Sequence, residues 1–128
     1  MKAKELMIGD WVLYNGDSKP YPVQVTEITS LKQLGVYNDK ELFWFIAGEK
    51  YFDPIPLTAE ILKKNGFSED IDGGFSNFTP YRIFLVCPES EIVFPYDGWV
   101  GLNIKYVHEL QHALRLCGLN ELADNLVL

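Results

Sequence analysis

His108-Glu109-Leu110-Gln111-His112 fits H-E-x-x-H, the spacing by which zinc peptidases place a metal beside its base. Residues four apart stack on one helix face, so two imidazoles can share one zinc. The Glu beside the first His then acts as general base on the metal-bound water. Three features of this sequence argue against that chemistry. Both of the chain's histidines are used by the motif, and the only downstream carboxylates for a third ligand are Glu121 and Asp124, with Glu121 returning across a break at Gly118. The metzincin continuation needs Gly and His where the chain has Arg115 and Gly118. At about 100° per residue, Val107, Leu110, Leu114 and Cys117 gather on one helix side, and His108, His112, Arg115 and Lys105 gather opposite. That opposite side reads as a solvated, cationic face, and its Lys and Arg would repel a dication. The expectation is an amphipathic packing helix on which the motif is a coincidence, with no catalytic residue, no metal ligand and no cofactor. The alternative is a zinc-dependent hydrolase with His108 and His112 as ligands and Glu109 as base.

Other chemistry-bearing patterns are weaker. Ser68, Asp70 and Asp72, with Gly73 sixth, occupy the first positions of a calcium loop, but the twelfth is Thr79 rather than Glu, so turn chemistry explains them better. No phosphate-loop, dinucleotide-loop or nucleophile-elbow motif occurs, and Ser18, Ser30, Ser68, Ser76 and Ser90 have no local base. Trp11, Tyr14, Tyr21, Tyr37, Trp44 and Tyr51 all fall in the first half, where a small barrel could gather them into a ligand or peptide groove.

The 128 residues are 48% hydrophobic and 14% aromatic, enough to bury a core in one domain or two small lobes. Eighteen acidic residues against eleven basic give a net charge of -7, scattered along the chain, which disfavours binding to a phosphate backbone. The opening MKAKELMIGDWV lacks an apolar signal-peptide core, and no window approaches the length of an apolar membrane span. Cys87 and Cys117 lie thirty residues apart in apolar contexts and read as reduced core residues of a cytoplasmic protein.

The elements that must position these residues divide near Asp53. Before it, DWVLY, the alternating YPVQVTEI, LGVY and ELFWFIAG read as short strands. Tyr21, Val23 and Val25 share one face; Gln24 and Thr26 share the other. The run Leu42-Phe43-Trp44-Phe45-Ile46 is apolar on both faces, so a cover on both sides is expected. After Asp53, Thr58 caps a two-turn helix, Glu60 and Lys64 form an i,i+4 pair, and Asn65-Gly66 ends it with Phe67 folding back. PYRIFLVC, EIVFPY and GWVGLNI then form an antiparallel meander, followed by the helix from about Ile104 to Cys117 and a short helical NELADNLVL. The fold class is α+β: an SH3-like small β-barrel lobe (1–53), suggested by the IGDWV start, packed on a lobe of helix, meander and amphipathic C-terminal helix (54–128).

Three blocks, AKELMIGDWVLYNG, PIPLTAEILKKNGF and IKYVHELQHALRLCG, resemble a group of small proteins of Bacteroidetes genomes in prophage or mobile-element surroundings. The resemblance covers both ends and the central helix, not the loops at 30–50 and 69–79. It brings no assigned activity. It does imply versions of the motif with Gln or Asn in place of Glu109 and His112, which no zinc enzyme could tolerate. The function expected is a non-enzymatic protein-interaction module of phage or mobile-element origin, with an unidentified protein partner and neither nucleic acid nor membrane. Its surface would be the aromatic β lobe or the helix face of His108, His112 and Arg115. A third reading, an acidic nucleic-acid mimic, would need the carboxylates concentrated on one surface.

Overall fold

The computed structural model describes residues 1–38, 42–69, 75–78, 82–86, 90–95, 99–116 and 118–128. The fold is of mixed α+β character, and the chain forms two compact units, Met1–Ile55 and Pro56–Leu128.

The first unit is a five-stranded antiparallel sheet. Its strands are β1 (Trp11–Tyr14), β2 (Tyr21–Ile28), β3 (Gln33–Asn38), β4 (Phe43–Gly48) and β5 (Phe52–Asp53), in the order β4-β3-β2-β1-β5. One 3-10 turn, Ala3–Glu5, precedes β1, and another, Glu49–Tyr51, leads into β5. Period-two alternation sorts the side chains. Val12, Val23, Val25, Leu34, Val36 and Phe52 form a core closed by Ala3 and Leu6 from the N-terminal segment. Each buried Val, Leu and Phe among them contributes roughly 1.5–3 kcal/mol by leaving water. Among the described residues the edge strands β4 and β5 do not pair with each other, so the sheet is open and is not a closed barrel.

Strand β4 departs from its sequence. The Leu42–Ile46 run does not have both faces covered: Phe43 is 40% exposed, Trp44 51% and Ile46 44%. An apolar run reads as a doubly covered strand only when something packs on each face. Here β4 is an edge, and apolar length alone does not reveal that.

The second unit begins with α1 (Ala59–Lys64). Thr58 Oγ1 accepts from Ile61 N–H at 3.2 Å, and Lys64 Nζ lies 3.6 Å from Glu60 Oε1. The helix ends in a Schellman motif: Phe67 N–H donates to Leu62 O at 3.0 Å, Gly66 N–H to Lys63 O at 3.2 Å, and Gly66 takes φ +85°. Phe67 is buried, as a residue folding back on the last turn should be.

Five antiparallel strands follow as a meander: β6 (Ser68–Glu69), β7 (Phe75–Phe78), β8 (Arg82–Val86), β9 (Ser90–Pro95) and β10 (Trp99–Ile104). The sequence suggested only the last three. The two extra strands lie in a stretch rich in Gly, Asp and Ser, whose turn composition masked them. Next come α2 (Val107–Leu116) and α3 (Asn120–Asp124). A second Schellman motif joins them, with Leu119 N–H on Leu114 O at 2.9 Å, Gly118 N–H on Arg115 O at 3.0 Å and Gly118 at φ +74°. It turns α3 back against α2, while β10 contacts α2 as well. No helix among the described residues is long and apolar enough to cross a membrane.

Candidate functional site

Helix α2 carries the H-E-x-x-H residues, but not on the solvated face expected of them. Val107, His108, Leu110, Gln111, Ala113 and Leu114 are all buried. At 100° per residue these positions fill an arc of about 220°. His108, 7% exposed, stands at the edge of that arc, and His112 is half-buried just beyond it. The expected seam of Val107, Leu110, Leu114 and Cys117 was too narrow: Gln111 and Ala113 on either side of it are buried as well, Gln111 against Ala123 of α3. Cys117 and Cys87 lie outside the described residues.

The His108 ring stacks on Tyr106, centroids 5.9 Å apart and planes 8° from parallel, and meets His112 edge-on at 5.6 Å. Nor is the neighbouring charge a bare cation: the Arg115 guanidinium is 3.1 Å from Asp124 Oδ1. The solvated-face argument against a metal therefore loses its force, and so does the part of the cation argument that rests on Arg115.

What counts against the peptidase is the position of Glu109. Its Oε1 accepts from the backbone N–H of Tyr106 at 3.0 Å and of Lys105 at 3.1 Å. Glu109 is the third residue of α2, and a carboxylate there reaches back to satisfy amides the helix leaves open at its start. The side chain needed as general base is thus engaged as a helix cap. Among the described residues, no group of three or more His, Cys, Asp and Glu could hold a metal ion. Ser68 begins β6, whereas Asp70, Asp72, Gly73 and Thr79 of the loop resembling a calcium site lie outside the described residues.

Glu109→Ala should lower stability by about 1 kcal/mol through loss of the cap, and Glu109→Gln, which keeps one acceptor oxygen, by less. Thermal denaturation of both variants checks the order. Equal losses would mean that the carboxylate does something other than capping.

Two residues that matter were not singled out by sequence. Gln111 is fully buried and its Nε2 donates to Ala123 O at 2.9 Å, tying α2 to α3. Asp10 is fully buried and its Oδ2 accepts from Met7 N–H at 2.8 Å, bracing the turn into β1. No sequence signal gave the burial of either polar group.

The aromatic residues expected in one groove divide between two sheet faces. Tyr14 and Tyr21 lie on the core face, where Tyr14 meets Phe45 edge-on at 4.8 Å and Phe52 at 5.6 Å, while Tyr51 sits in the turn before β5 with its ring 6.3 Å from Tyr14. Trp11, Tyr37 and Trp44 lie on the other face. There Trp11 pairs with Gln24, Gln24 with Tyr37, and Tyr37 with Trp44, so a row of side chains crosses four strands in direct register. Direct cross-strand neighbours stand about 5 Å apart, close enough to form one continuous surface. Trp44 is fixed within it: its Nε1 donates to Thr26 Oγ1 at 2.9 Å, and its indole lies across Gly35, where a Cβ would come within 3.2 Å of the ring.

No family model matches the chain, and neither a curated protein nor a solved structure matches it.

Proposed function

We propose that this protein is a non-enzymatic protein-interaction module working through its N-terminal sheet. The observation that carries the reading is the Trp11–Gln24–Tyr37–Trp44 row, with Trp44 and Ile46 about half exposed on an edge strand. Rings held rigidly at a surface lose little entropy on contact, and for that reason aromatic residues dominate the energetics of protein interfaces. The capping role of Glu109 weighs against the zinc-hydrolase alternative.

In this reading the first unit is an SH3-like sheet. Its support is the strand order β4-β3-β2-β1-β5 and the 3-10 turn leading into the strand that pairs with β1. The protein acts in the cytoplasm and belongs with the Bacteroidetes mobile-element group that its three sequence blocks resemble; those blocks are the support for that assignment.

The test places a photo-crosslinking amino acid at Ile46 and, in a control, at the exposed Glu60 of α1. In bacterial lysate the Ile46 probe should give a discrete protein adduct that Trp44→Ala abolishes. An absent adduct, or the same adduct from Glu60, would contradict the reading.

A further inference from the structure

The chemistry of the partner can be read from what surrounds Trp44. In the register of β2 against β3, Val25 pairs with Val36 but Glu27 with Gly35, a bulge that takes up Thr26 as an extra residue. Bulges re-aim side chains. Without this one, Glu27 would alternate onto the core face; with it, Glu27 joins Gly35 and Trp44. Its Cβ would lie 2.9 Å from a Cβ at Gly35, whose other near neighbours are Trp44 Nε1 and Cζ2. Glu27 and the indole therefore flank the one position that has no side chain to separate them.

The charges of this face are one-sided. Among its described strand positions the residues that carry charge at neutral pH are Glu27 and Asp53, and none is Lys or Arg. The chain as a whole carries -7. An aromatic surface bordered by carboxylates suits a cation twice over: the ring quadrupole attracts it at the indole face, and a carboxylate stands beside it. The same charges repel a nucleic-acid backbone that would otherwise stack its bases on such rings.

Building on the interaction reading, we propose that the Trp11–Gln24–Tyr37–Trp44 face binds an extended protein segment bearing Arg or Lys, with the cation on Trp44 and paired to Glu27. The row runs across the strands, so the segment crosses the sheet with one face of its side chains turned to the rings.

The test uses the full chain, isotopically labelled for NMR, and three synthetic peptides alike except for Arg, Leu or Glu at alternate positions. The Arg peptide should shift the Trp44 indole N–H and the amides of Glu27, Gly35 and Tyr37, with binding weakened by salt. Trp44→Leu should weaken it about tenfold, within the range of a partly desolvated cation–π contact. Because Trp44 also packs on Gly35, the exposed Glu27→Lys serves as the second variant: it should abolish Arg-peptide binding and leave resonances distant from this face in place. Equal binding of the Leu peptide here would overturn the cationic partner but leave an interaction surface standing. Shifts confined to Tyr14, Tyr21 and Tyr51, no shifts with any peptide, or preference for a single-stranded oligonucleotide would each overturn the proposal.

Discussion

Phe52→Ala should destabilise the N-terminal unit by about 4 kcal/mol, the cost of removing a fully buried ring from a close-packed core. Phe52 is completely enclosed and is the largest such side chain among the described residues. It sits on a two-residue strand that pairs with Leu13 and Tyr14 of β1, where its ring packs 5.6 Å from Tyr14. Truncation leaves a void that a short edge strand, with few hydrogen bonds of its own, cannot close by shifting without losing its pairing. The ring contact with Tyr14 adds about 0.5–1.5 kcal/mol to the loss. Against a total stability of roughly 5–15 kcal/mol for a protein of this size, the variant should be close to unfolding at physiological temperature. Denaturant titration read by circular dichroism measures the change. A loss under about 1 kcal/mol would mean that Phe52 does not anchor this core.

Gln111→Ala should cost about 3 kcal/mol, and Gln111→Leu about half of that. Both remove the amide that donates to Ala123 O, leaving a buried carbonyl without that donor. Only Ala also leaves a cavity, because Leu nearly fills the volume. The difference between the variants thus measures packing, and the loss common to both measures the hydrogen bond. The effect should be concentrated at the α2–α3 junction, read as faster amide exchange at Ala123, which is buried there, and in the rest of α3. Unchanged exchange at these positions would sever Gln111 from the docking of α3.

The helix ends of the second unit were legible because their signals are local. Thr58, Asn65-Gly66 and Gly118 act through bonds spanning a few residues, and each does what its residue type allows. Alternation also placed Tyr21, Val23 and Val25 on one face of β2. The failures were long-range. Nothing in Phe43-Trp44-Phe45-Ile46 states that β4 is an edge, since edge position is a property of the whole sheet order. Nothing in His108 or Gln111 states that α3 returns over α2; Gly118 permits that return but does not say where it lands. The aromatic residues were recognised as a group but not as two faces, because the register separating Tyr14 from Trp44 is set by pairing across four strands. The capping role of Glu109 was within reach: acid at the third helical position is a local signal, hidden by the peptidase spelling and by Tyr106 standing where Ser or Thr usually caps.

We propose that α2 serves as a packing helix whose H-E-x-x-H spelling holds no zinc, and elemental mass spectrometry of tag-free protein purified without chelator, beside His112→Ala, decides it. Far less than one zinc per chain is expected, with a change of only about 1 kcal/mol on removing the half-buried His112. About one zinc per chain, lost in His112→Ala together with a large fall in melting temperature, would contradict it.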